Sequence, residues 1–176
     1  EGDTDLVSTH LERRIGSADV FSIEPAAIFL SKFENAGEGA RERYTTIDGT
    51  DSRILVAYVK SSGSLWLMAS SGHVICSSKN GAGNVYSEAG LYTLLRHFVT
   101  EFGERWRQMY DDLLYYLARH RLSLGCELVT RCLGEHGAHP RTDHLVLNAV
   151  LDRDGLSASS PLLLLEFRAR YRLQIS

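Results

Sequence analysis

Lysine is scarce in this sequence: Lys32, Lys60 and Lys79 stand against sixteen arginines. A guanidinium keeps its proton at working pH, so arginine supplies charge but never a nucleophilic amine. Any amine chemistry therefore falls on three positions. Net positive charge is also missing, and a formal net charge of -3 excludes RNA binding through a uniformly basic surface. Local contacts remain open, with Arg168, Arg170 and Arg172, or Arg105, Arg107, Arg119 and Arg121, as clusters. A solvated helix face is the plainer expectation for each. No apolar run approaches the roughly 20 residues that span a bilayer; the longest aliphatic stretch is Leu162 to Leu165, so no membrane contact is expected. Glu1 to Asp5 is acidic and polar, without a signal pattern, and no initiator methionine precedes it. The expectation is a piece of a longer intracellular protein, nuclear or cytoplasmic. Cys76, Cys126 and Cys132 are odd in number and form no CxxC pair, which suits a reducing compartment. Cys132, His136 and His139 are one ligand short of a structural zinc set and share a glycine- and proline-marked loop, so no metal site is assigned to them.

What is present fits one domain. A chain of 176 residues with 44% hydrophobic and 23% charged side chains can bury a sizeable core. Leu6, Leu11 and Ile15 suggest a short helix ending near Gly16, and Ala26 to Phe33 reads as a strand. Ile54 to Val59 is a second strand, bounded by the Asp48-Gly49-Thr50-Asp51 turn. Ser64 to Ala69 and Gly72 to Ser77 form a hairpin, and Gly81-Ala82-Gly83 reads as a turn. From Ser87 the apolar period changes to three and four. Two amphipathic helices follow, with a break at Gly103. Leu124 to Thr130 and His144 to Leu151 are further strands. Ser160 and Pro161 open a last helix carrying Leu162, Leu165 and Phe167. Strands and helices without βαβ alternation argue for α+β with antiparallel sheets and backing helices.

The stretch with most chemical content runs from Tyr58 to Leu67. Lys60 leaves an apolar run and is followed by Gly63, where phosphate can approach the backbone. An amine with an ordinary value of roughly 10.4 must be deprotonated to attack, which calls for desolvation or a second cation. Lys79 is the candidate cation. Pairing residue 69 with 73 in the hairpin would set residue 79 opposite Gly63. Glu127 is the other candidate, because an acidic residue inside an otherwise apolar strand is costly unless paired or bound. A salt bridge to an arginine is its alternative.

Lys60-Ser61-Ser62-Gly63 resembles the lysine-x-x-glycine nucleophile motif of ATP-dependent RNA ligases, and Ser78-Lys79-Asn80 resembles the serine-lysine element that follows it. Lys32-Phe33-Glu34-Asn35, Gly83-Asn84-Val85-Tyr86, Cys126-Glu127-Leu128-Val129-Thr130 and Leu133-Gly134-Glu135-His136-Gly137 match in the same order. The nearest likeness is to plant-type tRNA ligases, with fungal tRNA ligases and phage RNA ligases that repair tRNA more distant. The resemblance implies the nucleotidyltransferase (covalent ligase) fold and a lysine that takes AMP from ATP with magnesium. AMP then passes to a 5′-phosphate of RNA, and a 3′-hydroxyl displaces it. On that pattern Lys60 is the nucleophile, and Lys32, Gly63, Lys79 and Glu127 bind the nucleotide. The partners implied are RNA ends, such as tRNA halves, and further domains. The arginine usual before the lysine-phenylalanine element is replaced by Pro25-Ala26-Ala27-Ile28-Phe29. Glutamate-glycine and lysine-x-lysine motifs expected later do not occur before Ser176. The expectation is one partial domain over residues 1 to 176. A non-catalytic ligase-like fragment that binds nucleotide or RNA is the alternative, and a GTP-using capping-type enzyme a further one.

Overall fold

Apolar side chains stand on both faces of the run from Ser64 to Ser70, and a strand patterned that way must be covered twice. The computed structural model describes residues 13–15, 19–21, 24–29, 60–79, 81–132 and 140–176. In it Ser64–Ser70 (β3) lies inside a seven-stranded sheet. Its neighbours are Val74–Ser78 (β4) and Leu122–Val129 (β6), both antiparallel. Gly81–Ala82 (β5) extends the sheet beyond β4; His144–Asp152 (β7) and Ser157–Ala158 (β8) extend it beyond β6. Gln174–Ile175 (β9) pairs in parallel with β7. Arg13–Ile15 (β1) and Asp19–Phe21 (β2) form a separate antiparallel pair. This corrects the end of the helix expected up to Gly16, where Arg13–Ile15 is a strand and pairing Arg14 with Val20 satisfies backbone groups locally; Leu6 and Leu11 lie outside the described residues.

One face of the sheet carries Trp66, Met68, Leu122, Leu124, Cys126, Leu128, Leu145 and Leu147, packed with Leu94, Phe98, Leu113 and Leu117 from the helices. These come from Val85–Phe102 (α1) and Trp106–Arg119 (α2). Gly103, at φ 53°, ends α1 by donating its N–H to the Val99 carbonyl, and a 3-10 turn over Gly103–Arg105 joins the two helices. The expected break is therefore where it was read. Pro161–Tyr171 (α3) closes the layer, with the Ser160 hydroxyl accepting from the Leu162 N–H at 3.3 Å. Its packed face is Leu164, Phe167 and Tyr171, while Leu162 and Leu165 are exposed. In a run of four leucines, composition alone does not show which turn faces inward. Among the described residues no helix is long and apolar enough to cross a membrane.

Trp66 is fully buried and donates its indole N–H to the Ser87 carbonyl at 3.0 Å. Gly90 makes room for it. A Cβ at position 90 would lie 2.6 Å from the indole Cε2 and closer still to two other ring atoms. Gly90→Ala gains roughly 1 kcal/mol of helix propensity, but the clash is with a ring that has no free volume to move into. A net loss of about 1–3 kcal/mol is expected, read as a thermal midpoint lower by about 2–4 °C for each kcal/mol. A midpoint at or above the parent's would refute the packing assignment.

Candidate functional site

The second face of the sheet holds Leu67, Ala149 and Leu151, with Ala27 and Ile28 laid over them. Because β6 pairs with β3 without a break from Ser64↔Leu128 to Ala69↔Ser123, Ser123, Gly125 and Glu127 all lie on this face. Glu127 pairs with Leu65 on one side and Val146 on the other. It is half-buried, so its carboxylate is anchored in apolar surroundings and open at one end.

Gly63 and Lys60 meet it there. The Gly63 N–H donates to the Glu127 carboxylate, and the Lys60 ammonium lies within electrostatic reach. Gly63 earns its place through space. A Cβ on it would stand 2.9 Å from the Leu128 carbonyl carbon, nearer still to that carbonyl's oxygen, and 3.2 Å from the Glu127 Cγ. Absence of a side chain thus lets the Lys60 loop lie directly on β6.

Burial raises the Glu127 carboxyl above its ordinary value, and the Gly63 N–H and the Lys60 charge only partly oppose it. A folded-state value above the unfolded one favours folding below the unfolded value, and the benefit is lost as pH rises through the folded value. At neutral pH the ionised Glu127 therefore lowers stability. Glu127→Gln is expected to melt above the parent at pH 7, with the difference shrinking toward pH 4. Melting curves across that range decide it, and a variant that melts lower at pH 7 overturns the sign.

Lys60 is exposed. This corrects the expectation of a desolvated lysine at a strand end, because the loop from 60 to 63 runs along the rim of the sheet and the charge set beside it is an anion. The hairpin register also differs. Ala69 pairs with Ile75, not residue 73, because Ser71, Gly72 and His73 form the turn. Ser78 lies opposite Trp66, so the register run on by one residue brings Lys79 opposite Leu65, the residue that also faces Glu127. Lys79 is exposed at the turn into β5. That turn is tied to α1 through Asn84. Its Nδ2 donates to the Ser78 Oγ at 2.8 Å and the Gly81 carbonyl at 3.1 Å, while its Oδ1 accepts from the Tyr86 and Ser87 N–H groups. The Gly83-Asn84-Val85-Tyr86 match is thus a helix cap that fixes the Lys79 turn.

Lys32, the strand at Ile54 to Val59, and Leu133 to His139 lie outside the described residues. Cys132 is exposed, and its thiol lies 3.8 Å from an Asp143 carboxylate oxygen. Several arginines singled out for RNA serve packing instead. Arg170 forks onto Asp112 at 3.0 and 2.8 Å and stacks on Tyr116 and Tyr171. Arg172 bonds Glu101 and covers Phe102, and Arg121 holds Asp154 and Glu24. Arg168, Arg107, Arg105 and Arg119 are exposed. A cavity of about 290 Å³ between α1 and the start of β7, lined by residues including Thr93, His97, His144 and Arg172, contains none of Lys60, Gly63, Lys79 or Glu127.

Two residues not singled out in the sequence organise the second face. Arg153 is 1% exposed, and its guanidinium donates to the carbonyls of Ala26 (2.6 Å), Ser70 (3.0 Å) and Leu117 (3.4 Å). Ser123, wholly buried, accepts from the Ile28 N–H at 3.4 Å. Residues 26–29 are consequently not the strand expected over Ala26 to Phe33, since these side chains take backbone groups that a ladder would use.

No protein-family model matches the chain. Over 129 residues, 72% of the chain, the sequence is 33% identical to tRNA ligase 1 of Arabidopsis thaliana. The chain spans 12% of that protein's length. This similarity supports a relationship between the chain and the RNA ligase family.

Proposed function

We propose that this chain is the lysine-bearing part of an ATP-dependent RNA ligase nucleotidyltransferase domain, and that Lys60 is its nucleophile. The observation that carries the reading is the meeting of Lys60, Gly63 and Glu127 on one face of the sheet. The mixed helix and antiparallel sheet architecture is compatible with it, and the similarity to a tRNA ligase supports it.

In the proposed reaction the neutral Lys60 amine attacks the α-phosphorus of ATP. A phosphorus–nitrogen bond forms, the bond to the bridging oxygen breaks, and pyrophosphate leaves. A 5′-phosphate of RNA then attacks the same phosphorus and frees the lysine, and a 3′-hydroxyl displaces AMP as the ends join. Glu127 is the counter-ion that holds Lys60 at the rim and, once nucleotide enters, the acceptor for a ribose hydroxyl. Gly63 leaves the space in which the α-phosphate lies against the backbone. Lys79, and Lys32 where it reaches the site, offset phosphate charge. Magnesium, which takes one or two carboxylates together with substrate phosphates and retained waters, suits the Glu127 carboxylate and would supply charge neutralisation when bound.

The test is to incubate the chain with α-labelled ATP and magnesium, denature it, and look for label that stays with the protein. Label released by acid but stable to base is expected of a phosphoramidate. A folded parent that stays unlabelled, alone and extended toward the carboxyl terminus, favours a non-catalytic ligase-like domain.

A further inference from the structure

Lys79 stands on a turn with little stiffness of its own. Gly81 and Gly83 follow it at φ 140° and 68°, conformations that glycine enters freely and leaves as freely. A lysine adds a flexible four-carbon stem, so where its charge sits depends on how firmly its root is held. Ser78 pairs with Gly81 across β4 and β5, and side-chain contacts close that pair. The Asn84 amide donates to the Ser78 Oγ at 2.8 Å and to the Gly81 carbonyl at 3.1 Å, and the Ser78 hydroxyl donates to the same carbonyl at 3.4 Å. Capping α1 does not need this. A cap needs only an acceptor, which serine or aspartate supplies as well as asparagine does. Among the residues that cap well, asparagine alone adds an amide with two hydrogens to turn back onto the hairpin.

We propose that Asn84 is a positioning residue for the nucleotide site and acts through Lys79: by locking Ser78 to Gly81 it holds the root of Lys79 on the Glu127 side of the sheet. The inference rests on the nucleotidyltransferase reading above. The Ser78 hydroxyl meets the residue that caps α1, on the helix side of the sheet, so strand alternation assigns Lys79 to the second face. There it stands opposite Leu65, which pairs with Glu127. Glu127 is thus two strand spacings away, or about 10 Å. A lysine stem and an incoming phosphate together span that gap. Releasing the lock while keeping the cap lets the root of Lys79 drift. A charge displaced by an ångström or so from the transferring phosphate loses much of its effect.

The experiment compares the parent, Asn84→Ser, Lys79→Ala and the double variant, all as the full chain. Thermal midpoints report the cap, and the rate of label formation from α-labelled ATP and magnesium at limiting ATP reports the site. Serine keeps the cap and loses the amide. Asn84→Ser is therefore expected to melt within about 2 °C of the parent and to form label about fivefold to tenfold more slowly. On the Lys79→Ala background the same change is expected to cost less than about twofold, because both act through one charge. A merely structural cap moves melting and not this coupling. Losses that multiply in the double variant, or parent-like labelling in Asn84→Ser, overturn the positioning role. Asn84→Asp, which also caps, carries the comparison if Asn84→Ser does not fold. A parent that takes no label overturns the proposed function and with it this role, whereas a labelled parent with multiplying losses overturns this role alone.

Discussion

Lys60→Arg is expected to abolish covalent labelling by α-labelled ATP while leaving the fold, and the charge facing Glu127, in place. Arginine keeps a cation at the rim of the sheet, so the electrostatic partner of Glu127 survives. It does not present a neutral amine to phosphorus, because the guanidinium stays protonated. The loss should exceed about 100-fold, limited by background, since no second nucleophile takes over a covalent step. Lys60→Ala should lose label equally but also remove the charge that holds the Glu127 carboxyl down. The two variants therefore separate nucleophile from counter-ion: equal labelling, unequal pH dependence of stability. Lys79→Ala is the control. It removes a cation and no nucleophile, and should slow labelling by about 10-fold to 100-fold without abolishing it. Labelled Lys60→Arg would show that the acceptor lies elsewhere.

The parts of this arrangement visible in the sequence were those with a local signature. Glu127 stood out as a carboxylate in an apolar run, and the structure leaves it half-buried, with a backbone N–H and a nearby ammonium among the described residues set against its desolvation. The helix pair was legible from its period, and Ser160-Pro161 from its capping chemistry. The hairpin was legible as a hairpin but not in register. A three-residue turn at Ser71-Gly72-His73, where a three-residue turn at Ser70-Ser71-Gly72 was expected, moves every pair by two positions, and sequence does not fix that choice. Both registers keep the same residues on the same face, so the error displaces Lys79 along the strand without turning it over. Arg153 was hidden for a different reason. It sits in Asp152-Arg153-Asp154-Gly155, whose composition announces a solvent-facing turn, and only the meeting of β3, α2 and residues 24–29 shows that its guanidinium points inward. Gly90 was silent as well, because its partner Trp66 comes from a strand more than twenty residues earlier.

Gly63→Ala is the other change expected to have a large effect, and it discriminates between a flexible loop glycine and a packed one. Gly63 is not at a backbone conformation that demands glycine, so alanine costs little in local strain. The cost is contact. The added Cβ meets the backbone carbonyl of Leu128, at the end of the β3–β6 ladder, and not a side chain that can swing aside. Either the loop lifts from β6 or the β3–β6 pairing opens at Ser64↔Leu128. Lifting the loop is cheaper, since residues 60–63 make no ladder bonds. It also withdraws the Gly63 N–H from Glu127 and displaces Lys60 by an ångström or so, which is enough to cost about 100-fold in a step that depends on in-line attack. The expected result is a chain that folds with a thermal midpoint lowered by only a few degrees, the sheet intact, and label formation reduced at least about 100-fold. Losing the N–H that opposes burial also pushes the Glu127 carboxyl further up. The pH dependence of stability in Gly63→Ala should therefore steepen in the direction opposite to Glu127→Gln. Parent-like labelling in Gly63→Ala would mean that the close packing of the Lys60 loop on β6 has no part in the chemistry.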